Sequence, residues 1–262
     1  MTNQVKRNIV IEKEKSLKSL FLRWETLLIL LFVVVNVMNA SISKNYLNTA
    51  NLFTAISTFL VKGFIAFPMA YILVLGDIDL SVGSTVALSA TLLGVSYNAG
   101  LPMGAAVAVA LLCGTLCGLI NGIILTKFTE LASMIVTLGT MTLYRGIAEM
   151  ILGSQSTGGL QNVTWFYNLY YARLGAVPYI FIVFCVLAVL FGLVLHKTTF
   201  GRYLYAIGNS RVVAHYSGIP VQSIRLICFT LVGLVCGISA IYYASWMGTV
   251  RFDIATGYEL EA

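Results

Sequence analysis

Charge is scarce in this chain, and that scarcity excludes whole classes of protein. Only 10% of the 262 residues are Asp, Glu, Lys or Arg, against about 25% in an ordinary soluble domain. Proline contributes four residues, and the two histidines, His196 and His215, are too isolated to suggest catalysis or metal binding. No Gly-x-x-x-x-Gly-Lys-Ser/Thr string occurs and no glycine-rich phosphate loop follows a strand, so any ATP hydrolysis must come from another chain. The five cysteines, Cys113, Cys117, Cys185, Cys228 and Cys236, all lie in apolar stretches. Cys113 and Cys117 share a helix face without a His or carboxylate at metal spacing, which points to thiols that simply pack. With no Ser/His/Asp or metal constellation, no catalytic residue, bound metal or cofactor is expected.

What is abundant is apolar surface. Hydrophobic residues make up 59% of the chain, and mean hydropathy is +0.90. Several runs approach or exceed the roughly 20 residues needed to cross a bilayer. The reading is an all-α, polytopic transmembrane helical bundle forming one domain over 1–262. Seven spans are predicted: Thr26–Ala40, Asn51–Gly76, Leu80–Tyr97, Met103–Thr126, Leu131–Gly153, Val177–His196 and Ile224–Trp246. Residues 1–25 form a basic segment without an evident cleavable signal, so the N-terminus is placed in the cytoplasm. The net charge of +6 reflects orientation rather than nucleic-acid binding.

The longest polar interruption is His196–Arg225, which holds Lys197, Arg202, Arg211 and Arg225 and no Asp or Glu. Basic residues concentrate in short cytoplasmic loops. Six crossings from an inside N-terminus bring this loop, and Lys127, back inside. Within it, Asn209 or Ser210 can cap a short helix with Val212, Val213 and Tyr216 as its apolar side, ended by Gly218 and Pro220. The pattern fits a docking surface for a cytoplasmic motor, or a basic loop that only fixes topology.

A second interruption, Gly76–Ser84, carries Asp77 and Asp79 inside an otherwise apolar region. Ionisable groups at membrane depth cost about 2.5–3.5 kcal/mol each. The segment is therefore a short cytoplasmic turn, or a helix break in which Asp79 and Ser81 start the next helix. Span four carries Gly114, Gly118 and Gly122 with Ala106 and Ala110, and span seven carries Gly233 and Gly237. Such small faces let helices approach closely in lipid. Asn121 near this seam is an interhelical hydrogen-bond partner or part of a path. Lys62 snorkels or faces the bundle interior. Arg145 and Glu149, four apart, form an ion pair or a polar lining. Trp165, Phe166, Tyr167, Tyr170 and Tyr171 form an interfacial belt or part of a platform for a binding protein. The polar stretch Gly248–Ala262 is expected outside.

Three strings in the basic loop, Thr199-Phe200-Gly201-Arg202, Ala206-Ile207-Gly208-Asn209 and Ser217-Gly218-Ile219, resemble the coupling loop of permease subunits in bacterial ATP-driven sugar importers of the ribose, xylose, rhamnose and autoinducer-2 type. The Gly76-Asp77-Ile78-Asp79-Leu80-Ser81-Val82-Gly83 string is similar to that family's Gly-Gly-Ile-Asp-Leu-Ser-Val-Gly, with Asp77 in place of the second glycine. That substitution resembles the rhamnose-transporter branch, as do Thr137-Leu138-Gly139-Thr140-Met141, Arg145-Gly146-Ile147-Ala148 and Gly257-Tyr258-Glu259-Leu260-Glu261.

The resemblance implies a permease in the bacterial cytoplasmic membrane. Its partners would be a second permease subunit, an ATP-binding subunit holding ATP and Mg, and an extracytoplasmic sugar-binding protein. It implies that Phe200, Gly201, Arg202, Gly208, Asn209, Ser210, Arg211, Ala214, Ser217 and Gly218 couple to the ATPase. Asp77, Asp79, Ser81, Asn121, Arg145 and Glu149 would belong to the translocation path or the helix break. It also implies further spans, with a Leu-Gly-Gly motif, beyond Ala262. Substrates in prospect are rhamnose, then autoinducer-2 or ribose. An ion-coupled transporter and a non-transporting scaffold are the competing classes.

Overall fold

A computed structural model describes residues 24–43, 46–175 and 177–261; the predicted cytoplasmic segment therefore lies almost wholly outside the described residues. Contacts divide the chain into two compact units, Met1–Leu52 and Phe53–Ala262. The first holds α1 (Trp24–Ile42), whose side chains from Leu27 to Val35 are all exposed, as lipid-facing ones would be. Tyr46 closes it by donating to Asn36 Oδ1 at 2.8 Å.

The second unit contains the bundle. Helix α2 (Thr49–Val74) begins at the boundary and is followed by α3 (Val82–Asn98), α4 (Met103–Lys127) and α5 (Ser133–Leu152). A short helix α6 (Thr164–Tyr171) and a two-stranded hairpin, β1 (Arg173–Leu174) with β2 (Val177–Pro178), lead into α7 (Tyr179–Lys197). The basic loop holds α8 (Thr199–Asn209) and α9 (Arg211–Tyr216). The long α10 (Val221–Met247) and a final turn, α11 (Tyr258–Glu261), complete the chain.

Helices occupy all seven predicted span positions, but five are long and apolar enough to cross a membrane on their own. α1 falls short in length of apolar run, and α3 differs in kind. Twelve of the seventeen residues of α3 are buried, including Ser84, Thr85, Ser89 and Thr91. It is the inner helix of the bundle, packed by α4, α5 and α10. Its hydroxyls meet protein rather than lipid, which lets a helix of modest hydropathy sit at the centre.

Helices α4 and α10 form the main seam. A Cβ on Gly114 would lie 2.5 Å from the Gly233 carbonyl oxygen, and one on Gly118 would collide with the Phe229 carbonyl. The small-residue faces predicted in spans four and seven are thus two halves of one internal contact. Cys113, Cys117, Cys228 and Cys236 are buried, and among the described residues no group of three or more His, Cys, Asp or Glu could hold a metal.

Two expectations at the opposite end from the basic loop, the Arg145–Glu149 pair and the single aromatic belt, need correction. The stretch after Trp246, expected on the outer side, packs against the bundle at this end. Val250, Ile254, Ala255 and Tyr258 are buried, Val250 bridges to Thr157, and Arg145 donates to the carbonyls of Phe252 and Ile254 at 2.9 and 2.7 Å. Arg145 consequently turns away from Glu149, which stays exposed, and the predicted ion pair is absent. Two backbone carbonyls satisfy the guanidinium better placed than the neighbouring carboxylate. The aromatic belt is also split: Phe166 and Tyr170 are buried under α10, where Ser245 bonds the α6 backbone, while Trp165 remains half exposed.

Candidate functional site

The two polar interruptions of the sequence meet at one end of the bundle. Helix α2 ends because Gly76 adopts φ +75°, which lets the Asp77 N–H return to the Ile72 carbonyl at 3.0 Å. Residues 75–81 then run unwound beneath the basic loop. Asp77 and Asp79 are 3% and 2% exposed, so the buried break is realised rather than the solvated turn.

Asp77 is held by two of the three arginines of the loop region, Arg211 and Arg225. Arg225 Nε reaches Oδ2 at 2.7 Å and its Nη2 reaches Oδ1 at 2.8 Å, while Nη1 donates to the Leu125 carbonyl at 2.6 Å. Arg211 Nη2 lies 2.9 Å from Oδ1. Burial pushes the Asp77 carboxyl up, but hydrogen bonds and charge from Arg225 and Arg211 outweigh it and hold it below the usual carboxylate range. Arg225 was not singled out as a site residue from sequence. The only available signal was two opposite charges at the ends of different apolar spans.

Asp79 serves a separate network. Its Oδ1 accepts from the Ser81 N–H at 2.8 Å and the Ser81 hydroxyl at 2.6 Å. Asn121 donates to Ser81 Oγ at 2.8 Å, and the Tyr144 hydroxyl lies between Asn121 Oδ1 and the Cys117 carbonyl. Asn121 is therefore an interhelical partner joining α3, α4 and α5. The break is also strapped to α5: Ile78 N–H donates to Ser133 Oγ and Leu80 N–H to Thr137 Oγ1, each at 3.1 Å.

The loop itself forms two helices. Thr198 caps α8 by accepting from the Gly201 N–H. Leu204 and Ile207 are buried, Phe200 packs edge-on to Tyr71, and Arg202 is exposed. Gly208 faces the Val74 carbonyl so closely that a Cβ there could not fit. Ser210, not Asn209, caps α9, accepting from the Val213 N–H at 3.3 Å. The helix stops at exposed Ser217 and at Gly218, whose φ of +80° allows Ile219 N–H to bond the Ala214 carbonyl. Ala214 is buried, whereas Val212, Val213 and Tyr216 are 65%, 64% and 87% exposed. The helix presents its apolar side outward.

Of the remaining predicted residues, Arg145 anchors the C-terminal segment and Glu149 lies on an open face of α5 with Gly139, Thr142 and Gly146. Lys62 sits over the Tyr258 ring at 5.1 Å, so it faces inward.

A bundle of apolar helices with a buried, ion-paired break at the end that offers an apolar helix outward has the class features of a membrane permease. The family described as "Branched-chain amino acid transport system / permease component" matches residues 51–262, and the chain belongs to it. Among curated relatives, the "Autoinducer 2 import system permease protein LsrD" of Escherichia coli K12 is 34% identical over 244 residues, covering 91% of this chain and 73% of the relative. The protein of the same name from Shigella flexneri matches equally. No solved structure matches. The chain is thus the permease of an ATP-binding-cassette importer in the cytoplasmic membrane. It is not itself an enzyme; the ATPase is a separate subunit.

Proposed function

We propose that this permease imports a small polyhydroxylated solute, rhamnose or autoinducer-2, by alternating access, driven by an ATP-binding subunit that docks on α9. The observation that carries the docking reading is the outward apolar face of Val212, Val213 and Tyr216 beside exposed Arg202. Bare apolar side chains on a helix at the basic, loop-bearing end need a protein partner. Phe200, Gly201, Gly208 and Ala214 seat the two helices against the bundle. Asn209, Ser210, Arg211, Ser217 and Gly218 shape the docking helix.

Rhamnose is supported by the motif resemblance and autoinducer-2 by the LsrD relatives; both are small and rich in hydroxyls. A second permease subunit, identical or different, would complete the passage, and an extracytoplasmic binding protein would select the solute. ATP and Mg would bind only on the partner. The test is uptake of labelled rhamnose, ribose and autoinducer-2 into vesicles holding the assembled importer. ATP-dependent uptake of one of them supports the proposal. Uptake that persists without ATP and collapses with the ion gradient defeats it.

A further inference from the structure

Arg211 and Arg225 share one carboxylate but are held very differently. Arg225 is 3% exposed, meets both Asp77 oxygens and has a third bond to the Leu125 carbonyl. The Arg211 side chain is 40% exposed and meets a single oxygen. Its other bond, to the Leu75 carbonyl, is long at 3.3 Å. Beside it opens a cleft of about 420 Å³, lined by Asp77, Ser133, Gly208, Asn209 and both arginines, so the side chain has room to move. Among the described residues, Arg211 is the only side chain of α9 with a polar bond to the bundle; otherwise the helix is seated through the Ala214 methyl.

We propose that Arg211 is a positioning residue for transport: the releasable link through which movement of α9 reaches the transmembrane helices, with Arg225 as the fixed pin. The route beyond Asp77 is continuous. The unwound segment it belongs to is bonded at Ile78 and Leu80 to Ser133 and Thr137, which begin α5, the helix that also carries Arg145 and Glu149. Displacing α9 pulls on Asp77 and shifts α5 through these bonds. Coupling of this kind requires an element with two arrangements that both ends can bias, and the exposed, single-oxygen contact of Arg211 is the part able to make and break. The proposal rests on α9 being the docking helix.

The test uses the importer assembled in vesicles from this chain, its ATP-binding subunit and its binding protein. R211Q should still copurify with the ATP-binding subunit and hydrolyse ATP, but import about tenfold less solute per ATP. R211K, which keeps the charge, should restore most of the loss. Import by R211Q at the wild-type ratio overturns the proposal. Should R211Q fail to assemble, spin labels at Ile78→Cys and Ser217→Cys, in a Cys185→Ser background of the purified chain, decide. A broader distance distribution in R211Q supports the link, and an unchanged one overturns it. Failure of the unmutated chain to copurify with the ATP-binding subunit would instead defeat the docking reading, while the label distances would still report on the link.

Discussion

Arg225 grips Asp77 through two parallel bonds of 2.7 and 2.8 Å, joining positions 148 residues apart. Neither charge could sit there alone. Breaking a buried pair by removing one partner costs about 3–5 kcal/mol, because the other charge is left uncompensated. Asp77→Asn should therefore lower the melting temperature of the detergent-purified chain markedly. Arg225→Lys should fall between, since an ammonium cannot reproduce the fork.

The same pair fixes a pH response. Asp77 has its pKa lowered by Arg225 and Arg211 against the effect of burial. A depressed folded-state value contributes stability that is present above the unfolded value of about 3.9 and lost as pH falls through the lower folded one. The difference in melting temperature between wild type and D77N should stay constant from pH 8 to 5. It should shrink only in strong acid. A difference that vanishes near pH 6 would contradict the clamp.

At Gly114, Gly118 and Gly233 the α4–α10 seam has no room for an added carbon. In Gly118→Ala the new methyl meets the Phe229 carbonyl and the Gly233 backbone, neither of which can yield like a side-chain tip. Overpacking of this sort costs about 1–3 kcal/mol. Gly139→Ala, in the interior of α5 on its open face with nothing within 4 Å, should instead stabilise by about 0.5–1 kcal/mol through its helix preference. Thermal unfolding of the two variants side by side checks the contrast.

The coupling surface separates into seating and contact residues. Tyr216→Ala and Val212→Ser remove exposed side chains and should leave permease stability unchanged while weakening copurification of the ATP-binding subunit. Bulky replacements at Gly208 or Ala214 should instead displace α8 and α9 bodily, because Gly208 abuts the Val74 carbonyl and Ala214 is buried. Limited proteolysis within 196–220 distinguishes the two outcomes.

Arg145 should be read as an anchor. Arg145→Gln loses the bonds to the Phe252 and Ile254 carbonyls, worth about 1.5–3 kcal/mol together with the charge. Cleavage within 248–257 by an added protease should rise severalfold, with little effect from Glu149→Gln.

Much of this was legible residue by residue. The helix positions followed from apolar runs, and the capped turn at Ser210–Gly218 from side-chain chemistry. The inside parity of Lys127 and the 196–225 loop followed from charge, and the structure gathers Leu125, Ser133 and Arg225 at one end together with Asp77, whose placement the sequence left open. Arg145 and Glu149 misled because i, i+4 spacing is a local rule, and two carbonyls more than 100 residues away outcompeted it. The packing of residues 248–261 was not legible, because their polar composition hides Ile254, Ala255 and Tyr258, which are buried in the fold.

Sequence alone determined the membrane class, the positions of the apolar helices and the capped helix of the basic loop, since hydropathy, capping and charge bias act over a few residues and leave their mark in order along the chain. Only the tertiary structure decided that α3 is buried rather than lipid-facing, that two glycine stripes are one seam, and that Asp77 has two arginine partners. Those outcomes depend on which distant surfaces meet, and a linear pattern does not record the matching of shapes and charges across a bundle.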